Sequence, residues 1–197
     1  GVFDARAVTL AKAFWPGPLT LVVPRRADSG VAELACAGLA SIALRAPAHP
    51  LALDLINSVG PLAAPSANRS GRISPTTAED ADREFDGAFT TVDGGPCQAG
   101  LESTIVALPP DEPATLLRPG SIPREAIEAL IGALASPQAG KVAAPGMLSS
   151  HYAPTAPVRL NAIAKEPGEA LLGFADVAGD VNLSAKGDLQ EAAARLY

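Results

Sequence analysis

The sequence predicts an α/β fold of the α+β kind: a twisted mixed β-sheet with covering helices, then a linker and the start of a small second α/β domain. Three observations predict it. Apolar runs of strand length at Leu19–Pro24, Ser41–Pro47, Ser103–Leu108 and Ala114–Gly120 are mixed with helical patterns, without the strict alternation of a doubly wound parallel sheet. From Ala135 to Thr155 the composition shifts to Ser, Pro, Gly and Ala, as a linker does. Beyond it a strand, strand, strand, helix order begins and stops in mid-element. The expected domains are residues 1–134 and 156–197, joined by a linker over 135–155.

Taken in order, Asp4–Phe14 places Ala7, Leu10, Ala11 and Phe14 on one helical face, with Asp4 as N-cap. Pro16, Gly17 and Pro18 end that helix. Leu19–Pro24 reads as a strand closed by Pro24, Arg25 and Arg26, and Ser41–Pro47 as a second strand that is apolar apart from Ser41 and Arg45. A helix from His49 to Ser58 should turn Leu51, Leu55 and Ile56 inward. Pro61–Pro65 reads as a short buried strand opening into a hydroxyl-rich loop, then a helix over Ala78–Phe85 capped by Thr76 or Thr77. Thr90–Gly95 predicts a strand turning at Asp93-Gly94-Gly95. Ser103–Leu108 and Ala114–Gly120 predict a strand pair joined by a turn at Pro109–Asp111. Pro123 marks the first turn of a helix running to about Leu134, with Ser121 or Ile122 near its cap. Past the linker, Pro157–Ile163, Ala170–Val177 and Asp180–Ser184 resemble short strands, and Gly187–Tyr197 an amphipathic helix.

With 48% hydrophobic and 18% charged residues, the composition is that of a folded domain. No apolar stretch approaches the ~20 residues that span a bilayer, so no membrane partner is expected. The chain opens without Met, almost at once in a helical pattern, which predicts a segment of a longer protein. A net charge of −6 disfavours broad nucleic-acid binding, though not a local patch. Cys36 and Cys97 have no CxxC spacing; they predict buried free thiols in a reducing, cytoplasmic setting. His49 and His151 have no partners at ligand spacing, so no protein-held metal is expected.

Four segments carry polar residues in or beside apolar strands: Ser41 with Arg45; Ser66 with Asn68 and Ser74; Ser103 with Thr104; and Arg118. An arginine in an apolar strand needs an anionic partner, and an ion pair within the protein is the simplest one. Two such arginines beside hydroxyl-rich strand ends point further, to a pocket for a phosphate or carboxylate ligand. Small hydroxyls and backbone N–H groups suit such oxygens because they donate without filling the anion's space. The sequence holds no nucleophile elbow, Walker A loop or Rossmann fingerprint. A site of this kind works by positioning and charge stabilisation.

In order and spacing, KAFWPGPLTLVV (Lys12–Val23), SIALRAPAHP (Ser41–Pro50), APSANRSGRISPTT (Ala64–Thr77), ESTIV (Glu102–Val106) and LLRPGSI (Leu116–Ile122) resemble the YrdC-like family of threonylcarbamoyl-AMP synthases. PGM (Pro145–Met147) followed by HYAP (His151–Pro154) resembles the interdomain linker of the family's long form. The resemblance implies a nucleotidyltransferase, a cytoplasmic enzyme of tRNA processing. It would join L-threonine, bicarbonate and ATP into threonylcarbamoyl-adenylate with release of pyrophosphate. The product would pass to a separate tRNA-modifying transferase complex. It implies ATP contacts from Ser41, Ser66, Ser74 and Arg118, with Tyr152 folding over the nucleotide. It implies threonine contacts from Arg45, the backbone of Ala64, and Ser103 or Thr104, with Asn68 lining the pocket. Mg²⁺ would be held largely by phosphates and waters. The family's Lys/Arg-rich N-terminal phosphate-binding motif has no counterpart here, which predicts that this chain alone is inactive. Leu148-Ser149-Ser150 stands where basic and aromatic residues are expected before HYAP. Two other readings compete: a non-catalytic RNA-binding module, or a domain of a hydrogenase-maturation carbamoyltransferase, against which the PGM–HYAP linker argues. A weak RNA contact is compatible with the synthase reading too.

Overall fold

The side chain of Asp4 accepts a hydrogen bond from the Ala7 N–H at 2.8 Å and so opens helix α1, Ala5–Phe14. Ala7 and Leu10 are fully buried on its inner face. Strand β1 (Leu19–Pro24) follows, alternating buried Leu19, Leu21 and Val23 with half-buried Thr20, Val22 and Pro24. That period of two puts one face on the core, while on the other Val22 packs with Ile105, Ala107 and Leu117 in a smaller cluster beside Thr20. β1 pairs antiparallel with β2 (Ser41–Leu44) and parallel with β3 (Thr104–Ala107), and β3 pairs antiparallel with β4 (Thr115–Arg118). The result is the expected mixed sheet, in the order β2-β1-β3-β4. Helices α1 and α4 (Arg124–Ile131) cover one face, and Leu10, Leu19, Leu21, Val106 and Ile127 meet there in a single core. Between them, α2 (Pro50–Val59) and α3 (Ala78–Glu84) follow β2.

In the computed structural model the described residues are 1–137 and 156–196. They group into two units, one from 1–65 and 102–137, the other from 66–101 and 156–196. The second unit holds α3, a two-residue parallel pair of β5 (Leu172–Gly173) and β6 (Val181–Asn182), and α5 (Leu189–Ala194).

Several expected elements are absent or shorter. Pro61–Pro65 forms no strand: its two prolines remove ladder donors, and residues 61–65 are all exposed. Thr90–Gly95 is irregular, its Gly95 N–H turned onto the Asp93 carboxylate at 2.8 Å as in an Asx-turn. Pro157–Ile163 is also irregular, with Val158, Leu160 and Ile163 exposed. The strands expected over Ala170–Val177 and Asp180–Ser184 shrink to the two residues each of β5 and β6. In α2, Leu51 and Leu55 are about half exposed rather than inward. Periodicity fixes a helix but not the surface that will meet it. Pro123 is the N-cap of α4, one position earlier than its expected place in the first turn. Cys36 is buried but Cys97 is exposed, against the expectation of two buried thiols.

A pH dependence follows in the second unit. Arg159 donates to both carboxylate oxygens of Glu169, and the Glu166 N–H adds a third bond at 2.9 Å. Chiefly through the Arg159 hydrogen bond, this pushes the Glu169 carboxyl down from 4.5 to about 2. A carboxylate whose folded pKa is depressed stabilises the fold above its unfolded value and loses that contribution as pH falls through its folded one. The turn around Glu166–Glu169 should therefore loosen between about pH 4.5 and 2. The protection factor of the Glu166 amide, taken against the intrinsic rate at each pH, should fall as pH drops through that window in the wild type, and Glu169→Gln should remove this change.

Candidate functional site

Three candidate residues of the first unit, Arg45, Ser103 and Arg118, gather at one end of its sheet. Ser103 immediately precedes β3, and its Oγ lies 2.8 Å from Thr20 Oγ1 on β1. Arg118, the last residue of β4, is opposite Ile105 past a register irregularity. Its Nη2 donates to Ser103 Oγ at 3.0 Å, its Nε to the Ser103 carbonyl at 3.1 Å, and its Nη1 to the Glu102 carboxylate. The guanidinium is thus held in its plane by three acceptors and is largely buried. Gly120 makes this approach attainable, because a Cβ there would lie 2.4 Å from the Glu102 carbonyl oxygen and 2.5 Å from the Thr104 nitrogen. Arg45 stands one step beyond the last β1–β2 pair, on the register line opposite Thr20, and its Nε donates to the Gly17 carbonyl at 3.1 Å.

Thr104 is not part of this polar group. It is fully buried on the other side, where its hydroxyl donates to the Ile122 carbonyl at 2.9 Å and accepts from the Ile122 N–H at 3.0 Å. Ser41 shares the face of Thr20 and Ser103 but lies at the far end of β2, about 13 Å along the strand from Arg45. Ala64 is exposed in the irregular segment after α2.

In the second unit, Asn68 holds its loop together. Its Nδ2 donates to the carbonyls of Arg69 and Arg72 at 3.0 and 3.1 Å, and its Oδ1 accepts from the Ser74 hydroxyl at 3.2 Å. Glu84 on α3 accepts from the Arg69 N–H and from the Arg72 guanidinium, and these bonds hold its carboxyl below the usual range. Beside them a cleft of about 390 Å³ is lined by Arg72, Ser74, Thr76 and Arg83 among others. Ser66 is exposed at the start of this loop. Tyr152 lies outside the described residues, as do His151 and most of the linker.

The structure therefore brings Arg45, Ser103 and Arg118 to one sheet end, and Asn68 and Ser74 into one loop. Sequence reading missed Thr20, Glu102 and Glu84. Thr20 was findable as the one hydroxyl on the half-buried face of an alternating strand, and Glu102 as the acid next to Ser103; Glu84 carries no local signal. Among the described residues no group of three His, Cys, Asp or Glu side chains could hold a metal ion, and no helix is long and apolar enough to cross a membrane.

The Sua5/YciO/YrdC family model, described as telomere recombination, matches residues 2–120. The chain belongs to the Sua5/YciO/YrdC family. A second model, the threonylcarbamoyl-AMP synthase C-terminal domain, matches residues 122–197 of this Sua5/YciO/YrdC chain. The chain is 49% identical to a Bacillus subtilis threonylcarbamoyl-AMP synthase, over 81% of its own length and 48% of that protein's. It is 46% identical to the Pyrococcus abyssi threonylcarbamoyl-AMP synthase, over 77% of its length and 46% of that protein's. The chain spans about half the length of these relatives. The solved structure of P. abyssi Sua5 complexed with L-threonine superposes with a TM-score of 0.82 at 37% identity, covering 100% of this chain and 64% of that one. The mixed sheet with its helices is thus a Sua5-type fold.

Proposed function

We propose that the protein containing this chain is an L-threonylcarbamoyladenylate synthase, a nucleotidyltransferase acting for tRNA threonylcarbamoyladenosine modification in the cytoplasm. The observation that supports this most is the likeness, over the whole chain, to Sua5 complexed with L-threonine. In this reading the threonine amine and bicarbonate give a carbamate and water. The carbamate oxygen then attacks the α-phosphorus of ATP and expels pyrophosphate. The product goes on to a separate tRNA-modifying transferase complex.

In this reading the chain's own residues divide the work. Arg118 has three of its five N–H groups on Ser103 and Glu102, and offers the other two to phosphate oxygens. Ser41 sits far enough along β2 to meet another part of an extended nucleotide. Arg45 and Ser103 hold the threonine carboxylate with help from the Ala64 backbone. Thr104 is left out of this role, because its hydroxyl is already engaged with Ile122. Ser66 and Ser74 bind ATP, Asn68 lines the pocket by shaping their loop, and Tyr152 closes over the nucleotide. Mg²⁺ bound with ATP would be held largely by phosphate oxygens and water and would supply neutralisation of triphosphate charge. Domain boundaries at 134 and 155 belong to the same proposal.

The test is pyrophosphate release by the full-length protein given ATP, Mg²⁺ and bicarbonate, with and without L-threonine. Release that depends on threonine is expected. A folded protein that gives none, and instead shifts RNA in a salt-dependent way, is an RNA-binding module. The 197-residue chain alone, at about half the length of its relatives, should give no useful rate; clear threonine-dependent release from it would overturn that part.

A further inference from the structure

The Thr20 hydroxyl, 2.8 Å from Ser103 Oγ, fixes how Ser103 can be used. Ser103 Oγ has two lone pairs and one hydrogen. Arg118 Nη2, a pure donor, occupies one lone pair at 3.0 Å. The Thr20 Oγ1 contact at 2.8 Å has either atom as donor, and the two cases differ chemically. If Ser103 donates to Thr20, its only hydrogen is used and it presents no donor to an anion. If Thr20 donates to Ser103, both lone pairs are filled and the Ser103 hydrogen must point elsewhere. The Ser103 residue is largely buried, so few acceptors compete for that hydrogen.

We infer that Thr20 is a positioning residue: it donates to Ser103 and so presents the Ser103 hydroxyl as a hydrogen-bond donor to the carboxylate of the amino-acid substrate. The inference rests on the synthase reading above. Its chemistry is directional, because the acceptor sites of Ser103 are closed by Thr20 and Arg118 together. The pocket then favours an anionic oxygen at this point over a neutral group that must donate. The placement has a backbone cause. Thr20 pairs with Ile105 in the parallel β1–β3 ladder, and Ser103 precedes Ile105 by two residues on the same face.

The experiment uses the full-length enzyme with Thr20→Val, which keeps the shape and removes the hydroxyl, and Thr20→Ser, which keeps the hydroxyl. Thr20→Val should raise KM for threonine roughly 3- to 10-fold, with kcat and KM for ATP nearly unchanged. Thr20→Ser should restore the wild-type KM. In a Ser103→Ala background, Thr20→Val should have no further effect, because the two hydroxyls act as one unit. An unchanged threonine KM in a folded Thr20→Val enzyme, or full additivity with Ser103→Ala, would overturn the inference. A wild-type enzyme without threonine-dependent release would instead overturn the synthase reading, so the two failures are distinct.

Discussion

Arg118→Ala in the full-length enzyme should lower kcat/KM for threonine-dependent pyrophosphate release by about 100-fold or more. The guanidinium is held before any ligand arrives, by the Ser103 carbonyl, the Ser103 hydroxyl and the Glu102 carboxylate. A preorganised donor in a site shielded from water needs no rearrangement when charge develops on the leaving phosphates. Arg118→Lys should not restore the rate, since one ammonium cannot meet two acceptor directions on Ser103 and still face a phosphate. Steady-state kinetics beside a thermal melt checks this. A variant that stays folded and keeps wild-type kcat/KM would show that Arg118 serves only to hold Ser103 and Glu102 in place.

Thr104→Val should act on stability rather than on substrate binding. The Thr104 hydroxyl satisfies both the N–H and the carbonyl of Ile122, a buried residue just before α4. Valine fills the space but leaves two buried backbone groups without that partner, a loss of about 2–4 kcal/mol. Chemical denaturation should show this as a lower midpoint with an unchanged slope. Thr104→Ser should recover most of it. Ser103→Ala, one residue away, should do the opposite: a small stability change and a raised threonine KM. If Thr104→Val were as stable as the wild type and impaired in threonine binding, the assignment of the two neighbours would be reversed.

The contrast between these neighbours shows what the sequence could and could not carry. A strand has two faces, so Ser103 and Thr104 had to point opposite ways, but only the ladder decides which way is inward. α1, β1 and the β3–β4 pair were legible because a cap, an alternating apolar pattern and a short turn agree at each. Pro61–Pro65 and Thr90–Gly95 misled because short apolar stretches resemble strands until a partner edge is needed. Arg118 was legible as an arginine in need of an anion. That Glu102 would be that anion depends on the close seat of Gly120, which no local pattern announces. The Asn68 loop showed its polar character in the sequence, whereas its clasp to Glu84 joins residues far apart along the chain.

The second unit is drawn from two stretches of chain, with the first unit's return at residue 102 between them. Gly100 lies so close to α5 that a Cβ would come within 2.2 Å of the Ala193 carbonyl oxygen. A polypeptide leaving the ribosome exposes residues 66–101 long before Ala193 is synthesised, at ~5–20 residues per second. For those seconds this stretch has no docking partner from α5, while β1, β2, β3 and β4 are all made well before Ala193. Biogenesis is therefore staggered. The four strands of the first unit can pair first, and Gly100 meets α5 only once Ala193 has emerged.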